Sequence, residues 1–321
     1  MINASVIIPN FNGVSLLADC LESLTKQVYS NFEVIVVDNN STDNSINFIT
    51  KNYPEVKVIK LKKNFGFAKA INQGVREARG KYLLFLNNDT KVTADWLNEL
   101  VKFANLHPEV VSINSKLVNF YKKNLIDGVG ITINEVGQAK SIGWQEIDRD
   151  QYNNPFYIFG ATGGASLFKK DLFIKIGMFD EKYFMYSEEV DFAFRAQFLG
   201  YKSMYCPSAI VYHKHKATAR KYPAKIEYWQ FRNMTQTIIK DFPTAILFKD
   251  YRWLKIILVH LNTILYQLKN GYIWPPIMTE LWLFIHLPFL IKDRIKIQSN
   301  IKVEISYIES FLTKKILKNK F

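Results

Sequence analysis

The chain has 321 residues, 48% of them hydrophobic and 15% aromatic, with a formal net charge of +13. That length suits one large domain or one domain with an appendage, and the apolar content is ordinary for a globular protein. Only two cysteines are present, Cys20 and Cys206; they exclude a disulfide framework and a thiol metal cluster, and a reducing compartment is expected.

The charge is unevenly placed. Residues 214–321 hold 19 Lys+Arg against 7 Asp+Glu, whereas the residues before them are nearly balanced. A basic end of this kind faces nucleic acid, an anionic membrane or an anionic substrate, or is simply a soluble surface. The N-terminal MINASVIIPNFNG lacks a basic stretch leading into a long apolar run, so a strand is expected there rather than a signal peptide.

In chain order, SVIIP (5–9) reads as a short buried strand closed by Pro9. Leu17, Cys20, Leu21 and Leu24 then recur at helical spacing through 14–27. FEVIVVDNNSTDNS (32–45) is a second buried strand, with Ser41, Thr42 and Asp43 as caps for a following helix. VKVIKL (56–61) is a third strand, and 67–80 a helix ended by Gly80. YLLFLNND (82–89) is a fourth strand, followed by a helix over 95–108. Strand and helix alternating at this spacing predict an α/β fold with a mainly parallel sheet flanked by helices. Residues 110–160 are less regular; within them DGVGITINEVGQAKSIGW (127–144) reads as hairpins or loops, and 188–202 reads as a helix stopped by Gly200.

Ligands of such sheets bind beyond the carboxyl ends of the strands. Those ends here carry Pro9–Asn12, Asp38–Ser41 and Asn87–Asp89. A carboxylate flanked by amides suits a divalent cation bridging phosphates, which makes Asp89 a candidate ligand for Mg²⁺; a turn or helix cap is the alternative. Asp38 can accept hydrogen bonds from a ribose hydroxyl or a base imide, or can cap the next helix. PNFNG lacks the glycine fingerprint of nicotinamide-binding folds. Glu188, Glu189 and Asp191 fall within four residues; mutual repulsion raises the proton affinity of at least one, which suits a general base. An acidic helix start satisfied by the helix dipole is the alternative. His213 and His215, two apart on a strand, point to opposite faces, so only one of them, His213, could complete a metal site built on Asp89.

Together, SVIIPNFNG, VIVVDNNSTDNS, NFGFAKAINQG, YLLFLNNDT, GATGGASLF through SEEVDFAFRAQFLGYK, and YCPSAIVYH resemble glycosyltransferase family 2, the inverting enzymes of GT-A (Rossmann-like) fold. The similarity is greatest to the rhamnosyltransferase-like branch. It spans residues 5 to about 213, with FRNMTQTIIKDFP (231–243) as a weaker extension. The resemblance implies that Pro9, Asn12, Asp38 and Asn40 hold a nucleotide base and ribose. It implies that Asn64, Gly66, Phe67 and Asn72 line the donor cleft, with Asn87 and Asn88 beside the metal carboxylate Asp89. His213 matches a metal-ligand position, and Gly160, Gly163 and Gly164 match an acceptor-side loop. Glu189 occupies the base position as Glu rather than Asp, leaving Glu188 and Asp191 as candidates.

The implied reaction is a single displacement from a dTDP- or UDP-sugar, with dTDP-rhamnose the first expectation and Mg²⁺ or Mn²⁺ as cofactor. The implied acceptor is a saccharide or lipid-linked saccharide of a cell-surface polysaccharide. A catalytically silent nucleotide-sugar binder of the same fold is the alternative. Residues 1–240 form the expected catalytic domain and 241–321 a helical, basic and aromatic region. Glu280, Pro275, Pro276 and Pro288 argue against a membrane span over 273–291. An interfacial segment on an anionic membrane is expected instead, placing the protein in the cytoplasm on the inner face of the cell membrane, with a homodimer as the other use of this region. No nucleic-acid-binding motif accompanies the basic end, so no nucleic-acid partner is expected.

Overall fold

The sequence ASVIIPN forms β1 (Ala4–Asn10), in which only Pro9 reaches the surface. A run buried on both faces belongs in the middle of a sheet. Accordingly, β1 pairs in parallel with β2 (Phe32–Asp38) on one side and β4 (Tyr82–Leu86) on the other, and β3 (Lys57–Lys60) extends the sheet beyond β2. The connections are helices: α1 (Val14–Thr25), α2 (Ser45–Asn52) and α3 (Gly66–Glu77). The computed structural model describes residues 2–214 and 222–314.

After the short strand β5 (Thr90–Val92) and helix α4 (Trp96–Leu106), the sheet continues with β6 (Val110–Asn119). Then come β7 (Ile126–Gly128), the hairpin β8 (Ile131–Asn134) and β9 (Ala139–Ser141), β10 (Tyr157–Ile158) and β11 (Ala165–Lys169). Helices α5 (Lys170–Ile176) and α6 (Glu188–Phe198) precede the long strand β12 (Lys202–His213). The main sheet has 10 strands in the order β10-β12-β6-β11-β4-β1-β2-β3, with β5 on β12 and β7 on β6. β11 is antiparallel to both β4 and β6, while β6 and β12 are parallel. The mainly parallel α/β reading of the sequence is thus observed.

Side-chain alternation along β1 assigns the two faces. Val6 and Ile8 pack with Leu17 and Leu21 of α1, Ile49 of α2 and Trp96 of α4. Ile7 packs on the opposite face with Ile71 and Val75 of α3, Phe173 of α5 and Phe192 of α6. Phe85, Phe168, Phe173 and Phe179 stack there with ring centroids 4.7–6.1 Å apart, in the offset and edge-on geometries aromatic pairs prefer.

The end of α3 and the existence of β6 differ from the sequence reading, whereas the end of α6 agrees with it. α3 ends at Glu77, and Gly80 is not its cap: a Cβ at Gly80 would lie 2.6 Å from the Ala4 carbonyl carbon. α6 ends at Phe198 with Leu199 as its C-cap, and Gly200, at φ +82°, stops it as expected: the Gly200 and Tyr201 N–H groups turn back to the Gln197 and Ala196 carbonyls. β6, expected to be irregular, is the longest strand before β12. Its polar residues hid it, and each is satisfied inside: Ser112 by Ser203, Asn114 by Thr162, Ser115 by Trp96 and Lys116 by Asp148.

The last third is helical, as expected: α7 (Pro223–Asp241), α8 (Thr244–Phe248), α9 (Arg252–Lys269), α10 (Trp274–Gln298) and α11 (Ile305–Ser310), ending in β13 (Leu312–Thr313). Pro275 and Pro276 occupy the first turn of α10, where a missing N–H costs nothing. Pro288 sits inside α10 without ending it, so it does not break the segment as the sequence suggested. This region shares a core with the sheet domain. Phe242, Ile246 and Ile308 pack on Phe159, Phe194 and Phe198, and β13 pairs with β8.

Buried charge reinforces the junction. Lys240 of α7 contacts Asp180 at 2.6 Å and Asp191 of α6 at 2.7 Å, and Asp191 also pairs with Arg195 at 2.6 Å. Burial alone would raise the Asp191 carboxyl, but Arg195 and Lys240 outweigh it and hold it at about 2. Burial, then the Asp191 charge, pushes the neighbouring Asp241 well above the usual carboxylate range. Lys240→Met is expected to cost about 3–5 kcal/mol by stranding a buried carboxylate. Because the folded Asp191 is depressed, its contribution is complete above the ordinary carboxylate range and is lost as pH falls through about 2. Urea unfolding of wild type and Lys240→Met should therefore differ most near neutral pH, and the gap should close toward pH 2.

Candidate active site

β1 and β4 are neighbours, yet the chain between them runs outward through β2 and β3. The crevice beyond their carboxyl ends is therefore the switch point of the sheet, where ligands of open α/β folds bind. Asn10, the buried last residue of β1, ties its walls together. Its Nδ2 donates to Asp38 Oδ1 at 3.0 Å and to Ser41 Oγ at 3.3 Å, and its Oδ1 accepts from Asn88 Nδ2 at 2.8 Å. The ends of β1, β2 and β4 are thus joined by one amide.

Asp38 is fully buried. It accepts from Asn10, from the Ser41 N–H at 2.8 Å and from the Ser41 hydroxyl at 2.5 Å. Through these three bonds its carboxylate shapes the loop at the end of β2. Asn12, at φ 49°, accepts from the Thr42 N–H at 2.7 Å and is likewise a loop brace. Asn40, at φ 65°, is exposed, and Pro9 is half-buried at the mouth of the crevice. Asp43 caps both adjacent helices, accepting from Val14 N–H of α1 and Ser45 N–H of α2.

The next wall is the N-terminus of α3. Asn64 accepts from the Gly66 N–H at 2.9 Å, and Asn39 joins this segment through Phe65 N–H and the Gly66 carbonyl. Gly66 has φ +86°, and a Cβ there would lie 2.2 Å from the Phe184 carbonyl oxygen. That oxygen accepts from the Phe67 N–H at 2.5 Å and caps the helix. Asn72 departs from its expected role in the cleft. It is buried one turn deeper, donating to the Phe179 carbonyl and accepting the Phe179 N–H.

The three glycines expected on the acceptor side are closely approached by neighbouring groups. Gly160 faces Ala193, Gly163 faces the Phe67 ring, and Gly164 faces Asn87 while its carbonyl accepts the Asn87 N–H at 2.8 Å. A side chain at Gly160 or Gly163 would collide with α6 or with Phe67.

On the far side of the crevice, Asp89 Oδ1 lies 3.3 Å from His213 Nε2, and His213 Nδ1 lies 3.2 Å from Asp127 Oδ2. Burial lowers the proton affinity of His213, but Asp127 and Asp89 outweigh it and raise its pKa to about 9. Asp127, on β7, was not foreseen: nothing in its local sequence shows that β7 pairs with β6 beside β12. His215 lies outside the described residues.

Across from this pair sits the start of α6. Glu188 and Glu189 each have one carboxyl oxygen buried with no hydrogen-bond partner. Burial, then the charge of Glu189, raises Glu188 well above its ordinary range; burial also raises Glu189. Asp191, the third candidate base, is corrected to a structural ion: it is fully buried and held by Arg195 and Lys240. Glu189 borders a cavity of about 220 Å³ that Tyr186, Thr162, Lys140 and Gln230 also line. Burial, then Glu188, Asp89 and Glu189, raises the Tyr186 phenol to about 12, which places this ring in the field of both the Asp89 and the glutamate sides.

A family model, Glycosyl transferase family 2, matches residues 5–177, more than half of the chain. The chain belongs to glycosyl transferase family 2. Over 238 residues it is 26% identical to the O-antigen biosynthesis protein RfbC of Myxococcus xanthus, covering 70% of this chain and 18% of that protein. Over 125 residues it is 34% identical to the poly(ribitol-phosphate) beta-N-acetylglucosaminyltransferase TarS of Staphylococcus aureus, covering 37% of this chain and 22% of that protein. The chain thus spans less than a quarter of either relative.

Two solved structures share the GT-A fold. GalNAc-T7 with UDP, GalNAc and Mn²⁺ has a TM-score of 0.57 at 16% identity, over 85% of this chain and 58% of that one. The Pyrobaculum calidifontis mannosyltransferase PcManGT with GDP-Man and Mn²⁺ has a TM-score of 0.56 at 16% identity, over 96% and 86%.

Proposed function

We propose that this family 2 chain is an inverting glycosyltransferase that moves a sugar from a nucleotide-sugar donor to a saccharide or lipid-linked acceptor of a cell-surface polysaccharide. The observation that carries this reading is the placement of two groups on opposite sides of one crevice. The Asp89–His213 pair lies at the ends of β4 and β12, and the half-buried Glu189, next to the buried Glu188, borders a cavity beside it. The names of RfbC and TarS supply the polysaccharide context. dTDP-rhamnose is the first donor to test.

Asp89 and His213 fit a divalent cation as one carboxylate and one imidazole, with Asp127 orienting the ring through Nδ1. Among the described residues no group of three or more His, Cys, Asp or Glu side chains could hold a metal ion. The remaining positions therefore fall to the donor diphosphate and water, as Mg²⁺ and Mn²⁺ sites on nucleotides allow. His213 must lose its Nε2 proton to serve as a ligand. Such an ion supplies charge neutralisation for the departing nucleoside diphosphate.

Glu189 takes the proton of the acceptor hydroxyl as that oxygen attacks the anomeric carbon. Its raised proton affinity suits a base that must accept a proton from a bound hydroxyl. Glu188, more deeply buried, is itself raised well above the ordinary carboxylate range by burial and then by the Glu189 charge. The α3 amides and the loop built on Asp38 orient the donor, and the cavity beside Glu189 excludes water from the acceptor oxygen.

The exposed face of the C-terminal helices suits a membrane surface. Leu254, Leu258, Leu261, Leu265 and Leu268 form one stripe on α9, and Ile277, Leu281, Phe284, Ile291 and Ile295 another on α10. α10 is long and apolar enough to cross a membrane by composition, with a mean hydropathy of 1.2. Glu280 near its middle and the excess of basic residues in this third of the chain favour lying on an anionic bilayer. A homodimer through the same stripes is the competing use.

The enzymatic reading is checked by nucleotide release from a panel of dTDP-, UDP- and GDP-sugars with Mn²⁺, with and without a lipid extract. Glu189→Gln should lower turnover by about 10²–10⁴-fold, the usual worth of a general base. The acidic limb of the wild-type rate profile should lie above the ordinary carboxylate range, because burial raises Glu189. Retained turnover in Glu189→Gln would remove it from this role. The membrane reading is checked by flotation with phosphatidylcholine vesicles with and without phosphatidylglycerol. Binding should require the anionic lipid and weaken with salt; a dimer that ignores both vesicles would contradict it.

A further inference from the structure

The segment leading to Glu188 and Glu189 is folded against its own backbone preferences. Phe184, Tyr186 and Ser187 have φ of 65°, 70° and 67°, a region that non-glycine residues adopt only when their surroundings impose it. What imposes it is α7. The buried side chain of Asn233 donates from Nδ2 to the carbonyls of Tyr183 at 2.9 Å, Met185 at 2.8 Å and Tyr186 at 2.7 Å. Arg232 Nη2 donates to the carbonyls of Lys182 at 3.1 Å and Tyr183 at 2.8 Å.

The clamp is itself fixed. Asn233 Oδ1 accepts from Arg232 Nε at 2.9 Å and from Gln236 Nε2 at 3.1 Å, which sets the amide so that its donors face the loop. The Arg232 guanidinium lies over the Trp282 ring of α10 at 4.9 Å. Neither side chain lines the cavity beside Glu189; toward the loop both act on backbone carbonyls.

The loop's other edge touches the donor side. Phe184 turns its carbonyl into the N-terminus of α3, accepting from Phe67 and Ala68, and its ring stacks on Trp229 of α7 at 4.6 Å. One short segment therefore contacts the wall of the crevice, lines the cavity through Tyr186 and Ser187, and delivers the candidate base.

We propose that Arg232 and Asn233 are positioning residues: they fold Lys182–Ser187 so that Tyr186 and Glu189 face the acceptor cavity, and through Phe184 they tie that placement to the donor wall. The catalytic consequence rests on the glycosyltransferase reading above; the structural consequence does not. The physical reason for two residues is satisfiability. A loop held in this conformation presents carbonyls that no regular ladder can pair, and an amide plus a guanidinium supply enough donors from one helix turn.

The test uses the full chain with Asn233→Asp, near-isosteric but without the amide donors, and Arg232→Lys, which keeps the charge. Hydrogen exchange is followed in peptides covering 182–189 and, as an internal control, the core strand 82–86. Turnover is measured with whichever sugar nucleotide of the panel the wild type consumes. In Asn233→Asp, exchange over 182–189 should rise by at least about tenfold while 82–86 is unchanged, as lost bonds to buried groups imply. kcat should fall by about 100-fold, the scale of an ångström of misplacement, with donor KM unchanged. Arg232→Lys should fall between the two.

Exchange over 182–189 that stays at the wild-type level, or that rises equally in 82–86, would overturn the proposal. So would an opened loop with wild-type kcat. If the wild type consumes no sugar of the panel, the enzymatic reading fails on its own, and the exchange data alone decide whether the clamp exists.

Discussion

The side-chain amide of Asn10 is the contact on which the crevice depends. A parallel sheet ends in carbonyls and amides that its own ladder cannot pair, and three such ends converge beyond β1, β2 and β4. Asn10 meets a carboxylate with its donors and another amide with its acceptor, so Asp38 and Asn88 are fixed relative to each other. Asp38 then shapes the loop that carries Ser41, Thr42 and Asp43, and Asp43 caps the helices on both sides. No exposed side chain could do this, because water would compete for each bond. The polar residues nearest the ligand are thus partly scaffold, and their chemistry is spent on shape.

The same economy recurs at the opposite wall. Buried carboxylates beside Glu189 fall into two groups with opposite electrostatics. Asp191 is paired with two cations and held low, whereas Glu188, buried, and Glu189, half-buried at the cavity, lack such partners and have raised proton affinity. Environment, not residue type, sets which of these acids is held low and which is raised. The C-terminal helices take part in this division, since Lys240 of α7 is one of the two cations and Asn233 of the same helix shapes the approach to α6. The last third of the chain is therefore bound into the catalytic unit by a shared core and by charge.

Much of the fold was legible because its first half is regular. Runs such as SVIIP and YLLFL can only be central strands, and Leu17, Cys20, Leu21 and Leu24 can only be one helix face. β6 was hidden because its polar residues are paired with residues far along the chain, such as Ser112 with Ser203, and pairing at that distance leaves no local mark. The site divides in the same way. Asp89 lies 3.3 Å from His213, and Glu189 borders a cavity, so these three candidates are brought to accessible positions. Residue type and order do not report that Asp38, Asn72 and Asp191 make buried bonds to other parts of the protein. Asn10, Asp127, Tyr186 and Asn233 were missed for the complementary reason: each acts on a segment brought to it by the fold.

The central claim is that one crevice holds the donor diphosphate between the Asp89–His213 pair and the Glu189 cavity. The most direct measurement is a crystal structure of the full chain with UDP and Mn²⁺, using anomalous scattering to place the ion. The expected result is a single strong peak within coordination distance of an Asp89 oxygen, His213 Nε2 and the UDP phosphates, with the base near Pro9 and Asn40. An ion bound away from Asp89 and His213, or UDP seated outside the ends of β1, β2 and β4, would contradict the account.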